Sequence, residues 1–196
     1  MSTGITDLTP SYVFEDDFRL FHRTLKEACD PYGPDLYPAF KKCCDEYFFI
    51  KHRGEHRGIG GIRFDDLCEE PHSLLKDSTA PRPKTADEIF SFIQSLGNAI
   101  IPSFIPVITR SSQLKWTEEM RRWQLLRRGR YIEFNLVYDR GTRFGLATPG
   151  VQAENVLASL PEVARWEYMS DAALEDDSKE SEMVAVLKNP RDWATS

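Results

Sequence analysis

Apolar residues recur at spacings of four and three from Phe14 through Phe18, Phe21 and Leu25 to Ala28, which is the repeat of one helix face. Glu15, Asp16 and Asp17 fall in its first turn, where negative charge complements the helix dipole, and the helix is expected to end before Pro31. A second helix is predicted from about Leu36 to Phe48, with Phe40, Cys43, Cys44, Tyr47 and Phe48 as a wide apolar face. Residues 69–84, EEPHSLLKDSTAPRPK, carry no period and are rich in Pro, Ser and charge. They read as a surface loop or insertion that adds little to the core. Thr85 and Glu88 then form a capping-box pattern, and Ile89, Phe92, Ile93 and Leu96 follow one helix face until Pro102 and Pro106, which are expected to break the run.

The period changes near Tyr131. In YIEFNLVY, Ile132, Phe134, Leu136 and Tyr138 alternate with Tyr131, Glu133, Asn135 and Val137, so a strand is predicted. Asp139, Arg140 and Gly141 supply turn chemistry before Phe144, Gly145 and Leu146, which makes a hairpin the economical reading. RWEY, Arg165 to Tyr168, suggests another strand, and Met183 to Leu187 a last helix stopped near Pro190. Helices flank these strands without regular alternation, which favours an α+β fold, a largely antiparallel sheet covered by helices on both faces. The strand candidates are few, which points to strands missing from the chain or supplied by a partner.

Composition narrows the function classes. With 196 residues, 41% hydrophobic and 12% aromatic, one globular domain is expected. A formal net charge of −6 argues against general nucleic-acid binding, so any anion site must be local. Cys29, Cys43, Cys44 and Cys68 fit neither a zinc knuckle nor a disulfide framework and read as reduced core thiols. No transmembrane segment is expected, and the polar start MSTGITDLTP shows no targeting address.

The candidate chemistry concentrates between Lys51 and Leu67, KHRGEHRGIGGIRFDDL. Arg53 and Arg57, four apart, would share a face on a helix or its frayed end and could grip carboxylates bidentately; the alternative is a solvated helix end. Gly58, Gly60 and Gly61 permit close backbone approach but lack the lysine and hydroxyl of a P-loop. Asp65 and Asp66 are adjacent on a predicted strand, so they face opposite ways and one is expected to be structural. His22, beside the apolar face of the first helix, reads as a core histidine, and His22 with His52 does not define a metal site. Five arginines lie between Arg121 and Arg130; the helical spacing of Met120, Trp123 and Leu126 predicts a packed helix with the arginines as its basic rim. The acidic segment from Asp171 to Glu182 reads as a solvated loop and helix start.

Five strings carry a family resemblance: DLTPSY, HRTLKEACD, FKKCCDEYFFIKHRGEHRGIGGIRFDDL, QLLRRGRYIEFNLVYDRGTRFGL and SLPEVARWEY. Over Asp7 to Trp193, in order, they closely resemble oxygen-dependent coproporphyrinogen III oxidase, and residues 69–84 with RPKTADEIF look most like fungal members. The resemblance implies oxidative decarboxylation of two propionates of coproporphyrinogen III to vinyl groups, giving protoporphyrinogen IX, with dioxygen as co-substrate. It implies no organic cofactor and no settled metal, His22 and His52 matching histidine metal positions described for bacterial members. Asp7 matches the family's aspartate at the pyrrole N–H groups, Arg53 and Arg57 fit as propionate clamps, and Gly150, Val151 and Gln152 match a substrate-contacting Gly-x-Arg segment. The resemblance further implies a homodimer through about Tyr131 to Glu167 and a cytoplasmic location, or the mitochondrial intermembrane space if a targeting segment precedes this sequence.

The chain departs from the family pattern at several points. Gln152 replaces the arginine, Cys44 stands where tryptophan is usual, and Arg63 stands where an apolar aromatic is usual. The first loses a propionate-pairing charge, the second would leave a cavity, and the third places a charge on a strand expected to be buried. The family's N-terminal portion, with its proton-donor histidine and further substrate-binding positions, is expected to be missing, so residues 1–196 form one domain truncated at its start. The alternative is a non-catalytic homologue that binds a full-length subunit or a porphyrin.

Overall fold

The computed structural model describes residues 1–170 and 175–195. Strand β1, Ser2–Asp7, leads into α1, Glu15–Cys29, and α2, Leu36–Tyr47, both close to the helices expected from their apolar spacing. A tight hairpin follows, β2 (Phe49–Ile50) against β3 (Glu55–His56), and then β4, Gly61–Leu67. Helix α3, Ala86–Ser112, begins at the expected capping box, with both hydrogen bonds between Thr85 and Glu88 formed. Helices α4 (Glu118–Val137), α5 (Arg140–Ala147), α6 (Ala153–Val156) and α7 (Lys179–Lys188) complete the chain.

The α+β class and the antiparallel pairing hold. Among the described residues, however, the sheets are two separate two-stranded ribbons, β1 with β4 and β2 with β3. The main core lies between β4, α1, α2, α3 and α7. Phe18, Phe21, Leu25, Leu36, Phe40, Ile62, Phe64, Phe92, Met183 and Trp193 are all buried in it. A second cluster joins Cys44, Phe48 and Ile50 to Phe134 of α4, and a third joins Trp123 and Leu126 to Val184.

Several expectations are corrected. Tyr131–Val137 is the last part of α4 and not a strand, because its neighbours run on one helix face: Trp123, Leu126, Arg127, Arg130 and Phe134 are all buried. The predicted hairpin after Tyr138 is helix α5, started by Asp139, whose side chain accepts from the Thr142 amide at 2.6 Å. Arg165–Tyr168 is not in a strand; Arg165 N donates to Leu125 O at 3.0 Å and the segment lies along α4. Pro102 and Pro106 sit inside α3. Both are exposed, so the carbonyls left without amide partners can bond to water.

Helix α3 also has the length and hydropathy to cross a bilayer, with only 22% of its most apolar window buried, which the sequence reading did not expect. It packs along α1: Ser95 Oγ donates to Ala28 O at 3.2 Å and Arg110 pairs with Asp17 at 2.6 Å. Its outward stripe leaves Phe90, Ile100, Ile101 and Ile105 exposed. The 69–84 loop contributes more to the core than expected, since His72 and Leu75 are buried and His72 Nε2 donates to Asp65 O at 2.7 Å. The start of the acidic segment, 171–174, lies outside the described residues.

Candidate active site

The site grows from the close approach of two backbone segments. Asp7 ends β1 opposite Gly61, and Leu8 continues the pairing, its amide donating to Gly60 O at 3.1 Å while Ile59 N donates to Leu8 O at 2.9 Å. This spacing leaves no room for side chains. A Cβ on Gly58 would lie 2.3 Å from Leu8 O and one on Gly61 2.3 Å from Thr6 O, while Gly60 adopts φ +84°. The glycines thus bring backbone to backbone, and one consequence is the Gly60 amide hydrogen bond to Asp7 Oδ1 at 3.2 Å.

Asp7 is held from the other side by Arg57, whose Nε donates to Oδ2 at 2.9 Å; the two side chains are 1% and 10% exposed. Burial pushes the Asp7 carboxyl above its ordinary value of 3.8, and the Arg57 charge with the two hydrogen bonds pulls against it. Arg57 is fixed in turn. Its Nη1 donates to Asn135 Oδ1 at 3.0 Å, and its guanidinium lies 3.7 Å from the Phe48 ring centroid and 4.6 Å from that of Tyr131. Tyr131 and Asn135 are four apart, so α4 presents both on one face.

Asp7 and Arg57 line a cavity of about 790 Å³, within the range of small-molecule sites. Its apolar wall includes Phe18, Val107, Ile108, Leu114, Trp116 and Met120, and Asp17, Gln124 and Tyr131 add polar groups. The Ser11 carbonyl accepts from Trp123 Nε1 at 2.6 Å, which pins the 8–12 segment on α4.

Arg53 goes elsewhere. It lies in the turn Lys51–Gly54 and not on a helix, so it does not share a face with Arg57. Its Nε and Nη2 donate to the two carboxylate oxygens of Glu133 at 2.9 and 2.6 Å, the bidentate grip expected of the residue but on a partner within the chain. Glu133 also accepts from Arg130 at 3.2 Å, His52 Nε2 at 2.9 Å and Trp166 Nε1 at 2.9 Å. Burial acts to raise the Glu133 pKa, but the hydrogen bonds from Arg53 and His52 and the charges of Arg130 and Arg53 prevail and hold it at about 2.

Gly150, Val151 and Gln152 lie between α5 and α6, exposed, with Gly150 at φ +81° and Gln152 as the residue before α6. None of them lines the cavity. His22 is fully buried, and burial, aided by the charge of Lys41, lowers its pKa to about 3. The Ile59 carbonyl 3.1 Å away can only accept, so Nε2 carries the proton and Nδ1 accepts from Tyr37 Oη at 2.9 Å. His52 likewise spends both nitrogens, on Tyr138 Oη at 2.8 Å and on Glu133. Among the described residues no three His, Cys, Asp or Glu side chains come together to hold a metal ion.

The remaining departures are accommodated. Cys44 is buried beside Phe48, Ile50 and Phe134, its thiol donating to Thr6 O at 3.4 Å. Arg63 is paired with Asp65 and stacked 3.8 Å from the Tyr47 centroid, so its charge is not stranded. Asp66 is exposed with φ +58°. Two of the arginines read as a basic rim point inward: Arg127 pairs with buried Glu55 at 2.7 Å and Arg130 with Glu133. Sequence reasoning missed Glu55, Glu133 and Asn135, the partners that fix the arginines. Tyr131 and Asn135 at helical spacing on either side of Phe134 are the signal that would have found the last.

Residues 2–193 match the family model described as coproporphyrinogen III oxidase. The chain is 54% identical over 190 residues to the human protein named oxygen-dependent coproporphyrinogen-III oxidase, mitochondrial, covering 97% of this chain and 38% of that protein. It is 50% identical to the Drosophila melanogaster oxygen-dependent coproporphyrinogen-III oxidase, covering 97% and 45%. It is 47% identical to the Glycine max chloroplastic enzyme of that name, again covering 97% and 45%. The chain therefore spans less than half the length of these relatives while matching them along almost all of its own, and it belongs to the coproporphyrinogen III oxidase family.

Proposed function

We propose that this chain provides the porphyrinogen-binding part of an oxygen-dependent coproporphyrinogen III oxidase. The observation that carries the reading is a buried aspartate, fixed by an arginine and a backbone amide, on the wall of a cavity of about 790 Å³ in a chain of this family. In the reaction each of two propionates loses carbon dioxide and one C–H hydrogen, giving up two electrons to become a vinyl group. For each of them one dioxygen takes the two electrons, that proton and a second proton from solvent to become hydrogen peroxide.

Asp7 is the anionic acceptor for pyrrole N–H groups, and its carboxylate stabilises positive charge that develops as the electron-rich ring is oxidised. Arg57 opposes the rise in pKa that burial imposes on that carboxyl and fixes its direction. Substrate entry lets Arg57 share its charge between Asp7 and a propionate, while contact of the outer carboxylates with Arg53 and the Gly150, Val151 and Gln152 segment requires Arg53 to give up Glu133 and the segment to move toward the cavity. Gln152 offers an amide there in place of a guanidinium, so this contact is weaker than in relatives with arginine. No organic cofactor is invoked, and His22 and His52 serve as structural residues. Self-association runs through about Tyr131 to Glu167, a face on which Leu136, Val137, Phe144 and Trp166 are exposed. Relatives named mitochondrial or chloroplastic favour an organellar setting over the cytoplasm.

Coproporphyrinogen III supplied under air, with protoporphyrin fluorescence read after oxidation of the product, tests the proposal. Saturable porphyrin binding by the chain, with turnover that falls steeply in Asp7→Asn, is the expected result. Binding without turnover supports the non-catalytic alternative, and neither binding nor turnover overturns the proposal and leaves only a homologue that binds a full-length subunit.

A further inference from the structure

A second cavity, of about 380 Å³, adjoins the larger one and shares with it Thr9, Pro10, Ser11, Arg57, Gln124 and Tyr131. It adds Arg127, Arg128, Ser159 and Pro161. Gln124, Arg127, Arg128 and Tyr131 are spaced three, four and seven apart, so one face of α4 supplies them. Three arginines line the space and no carboxylate does, in a chain with 31 acidic residues and a net charge of −6.

The charges behind the wall can be assigned. Asp7 balances Arg57, and Glu55 balances Arg127. Arg128 is half-buried and makes no hydrogen bond or ion pair with a described residue. One positive charge is therefore left for the cavity. Arg127 adds an unmet donor: its side chain is 6% exposed, Nη1 is on Glu55, and the buried Nη2 has no partner. A buried guanidinium N–H without an acceptor is costly, and an anion in this cavity would relieve the cost.

We propose that this cavity is a carboxylate subsite, in which Arg128 and Arg127 hold one propionate of a tetrapyrrole whose ring occupies the adjoining larger cavity. This rests on the function proposed above. Arg128 carries the charge recognition, Arg127 supplies the second donor, and Ser11, Ser159 and Tyr131 line the space with neutral hydroxyls. The net single charge suits a monoanion, which distinguishes the subsite from a phosphate site. Arg128 is thereby a residue that determines which porphyrin side chain enters.

The test titrates the full chain with coproporphyrin III and, in parallel, with its tetramethyl ester, which keeps the ring and removes the charges. The wild type should prefer the acid. Arg128→Gln should weaken acid binding about tenfold, the loss of one charge-assisted hydrogen bond, and leave ester binding within about twofold. Arg128→Lys, which keeps charge without the planar fork, should fall between, at about threefold. Arg122→Gln removes a charge from the same helix outside the cavity and should change neither. If Arg128→Gln does not fold, the acid-to-ester ratio of Arg128→Lys carries the test. No binding of either porphyrin by the wild type overturns the proposed function itself. Binding by the wild type with an unchanged ratio in the Arg128 variants, or an equal loss in Arg122→Gln, overturns the subsite alone.

Discussion

Glu133→Gln isolates the charge at the centre of the Arg53, His52, Arg130 and Trp166 cluster while preserving side-chain shape. The glutamate side chain is 12% exposed and its pKa is held at about 2, against an ordinary value of 4.5. That displacement corresponds to about 3 kcal/mol of stability at neutral pH. The sign follows from the direction: the native state binds the Glu133 proton less tightly than the unfolded chain does. The contribution is therefore complete above pH 4.5 and is lost as pH falls toward 2. By the same linkage it drops from about 3 kcal/mol at pH 7 to about 1.5 kcal/mol at pH 3. Arg53 is partly exposed, so solvent screening makes these upper values. Urea unfolding of wild type and variant from pH 7 to pH 3 reads the effect directly. A destabilisation below about 0.5 kcal/mol at pH 7, or a difference that does not shrink with acid, refutes the view that Glu133 anchors the turn electrostatically.

Asp7→Asn should lower turnover about 10²–10³-fold with little change in KM, and near-wild-type kcat would remove Asp7 from the chemistry. Gly58→Ala and Gly61→Ala each force a Cβ to 2.3 Å from a carbonyl oxygen and should cost about 2–4 kcal/mol in urea unfolding, whereas Gly97→Ala, with open space around it, should stabilise by about 0.5–1 kcal/mol. Thr85→Ala removes the cap of α3 and should cost about 1 kcal/mol, seen as a shift in thermal midpoint of about 2–4 °C; no shift would mean that packing on α1 alone sets that end. Glu55→Ala strands the buried Arg127 charge and should cost about 3–5 kcal/mol, which makes it the largest of these losses if the ion pair is as dry as its burial implies.

The first half of the chain was legible because its helices bury ordinary apolar stripes, such as Phe18, Phe21 and Leu25 on α1. The start of α4 was legible from Met120, Trp123 and Leu126, but its second half was not, because the buried stripe goes on through Arg127 and Arg130. Their partners, Glu55 and Glu133, are fixed only by tertiary structure, so the polar positions break the helical period and leave a false alternation over Tyr131–Tyr138. Strand β1 was missed for a related reason: STGITD has little apolar content and is a strand because β4 pairs with it, Gly4 leaving room for the Phe64 ring, 2.5 Å from where a Cβ would stand. At the site, Asp7, Arg53 and Arg57 were readable as charged groups. Their mutual arrangement was not: the turn at Lys51–Gly54 sends Arg53 to Glu133 while Arg57 crosses to Asp7.

The outward stripe of α3 bears on every stability just predicted. Phe90, Ile100, Ile101 and Ile105 stand exposed side by side on the folded chain, and a species that needs them as one surface engages the native state, because the unfolded chain offers the same side chains only singly. By mass action the apparent stability then rises as RT ln(1 + [L]/Kd), about 2.7 kcal/mol when the covering species is at a hundred times its Kd. A species with that preference makes the apparent unfolding free energy depend on its own concentration, so variants compare meaningfully only at matched protein and detergent concentrations.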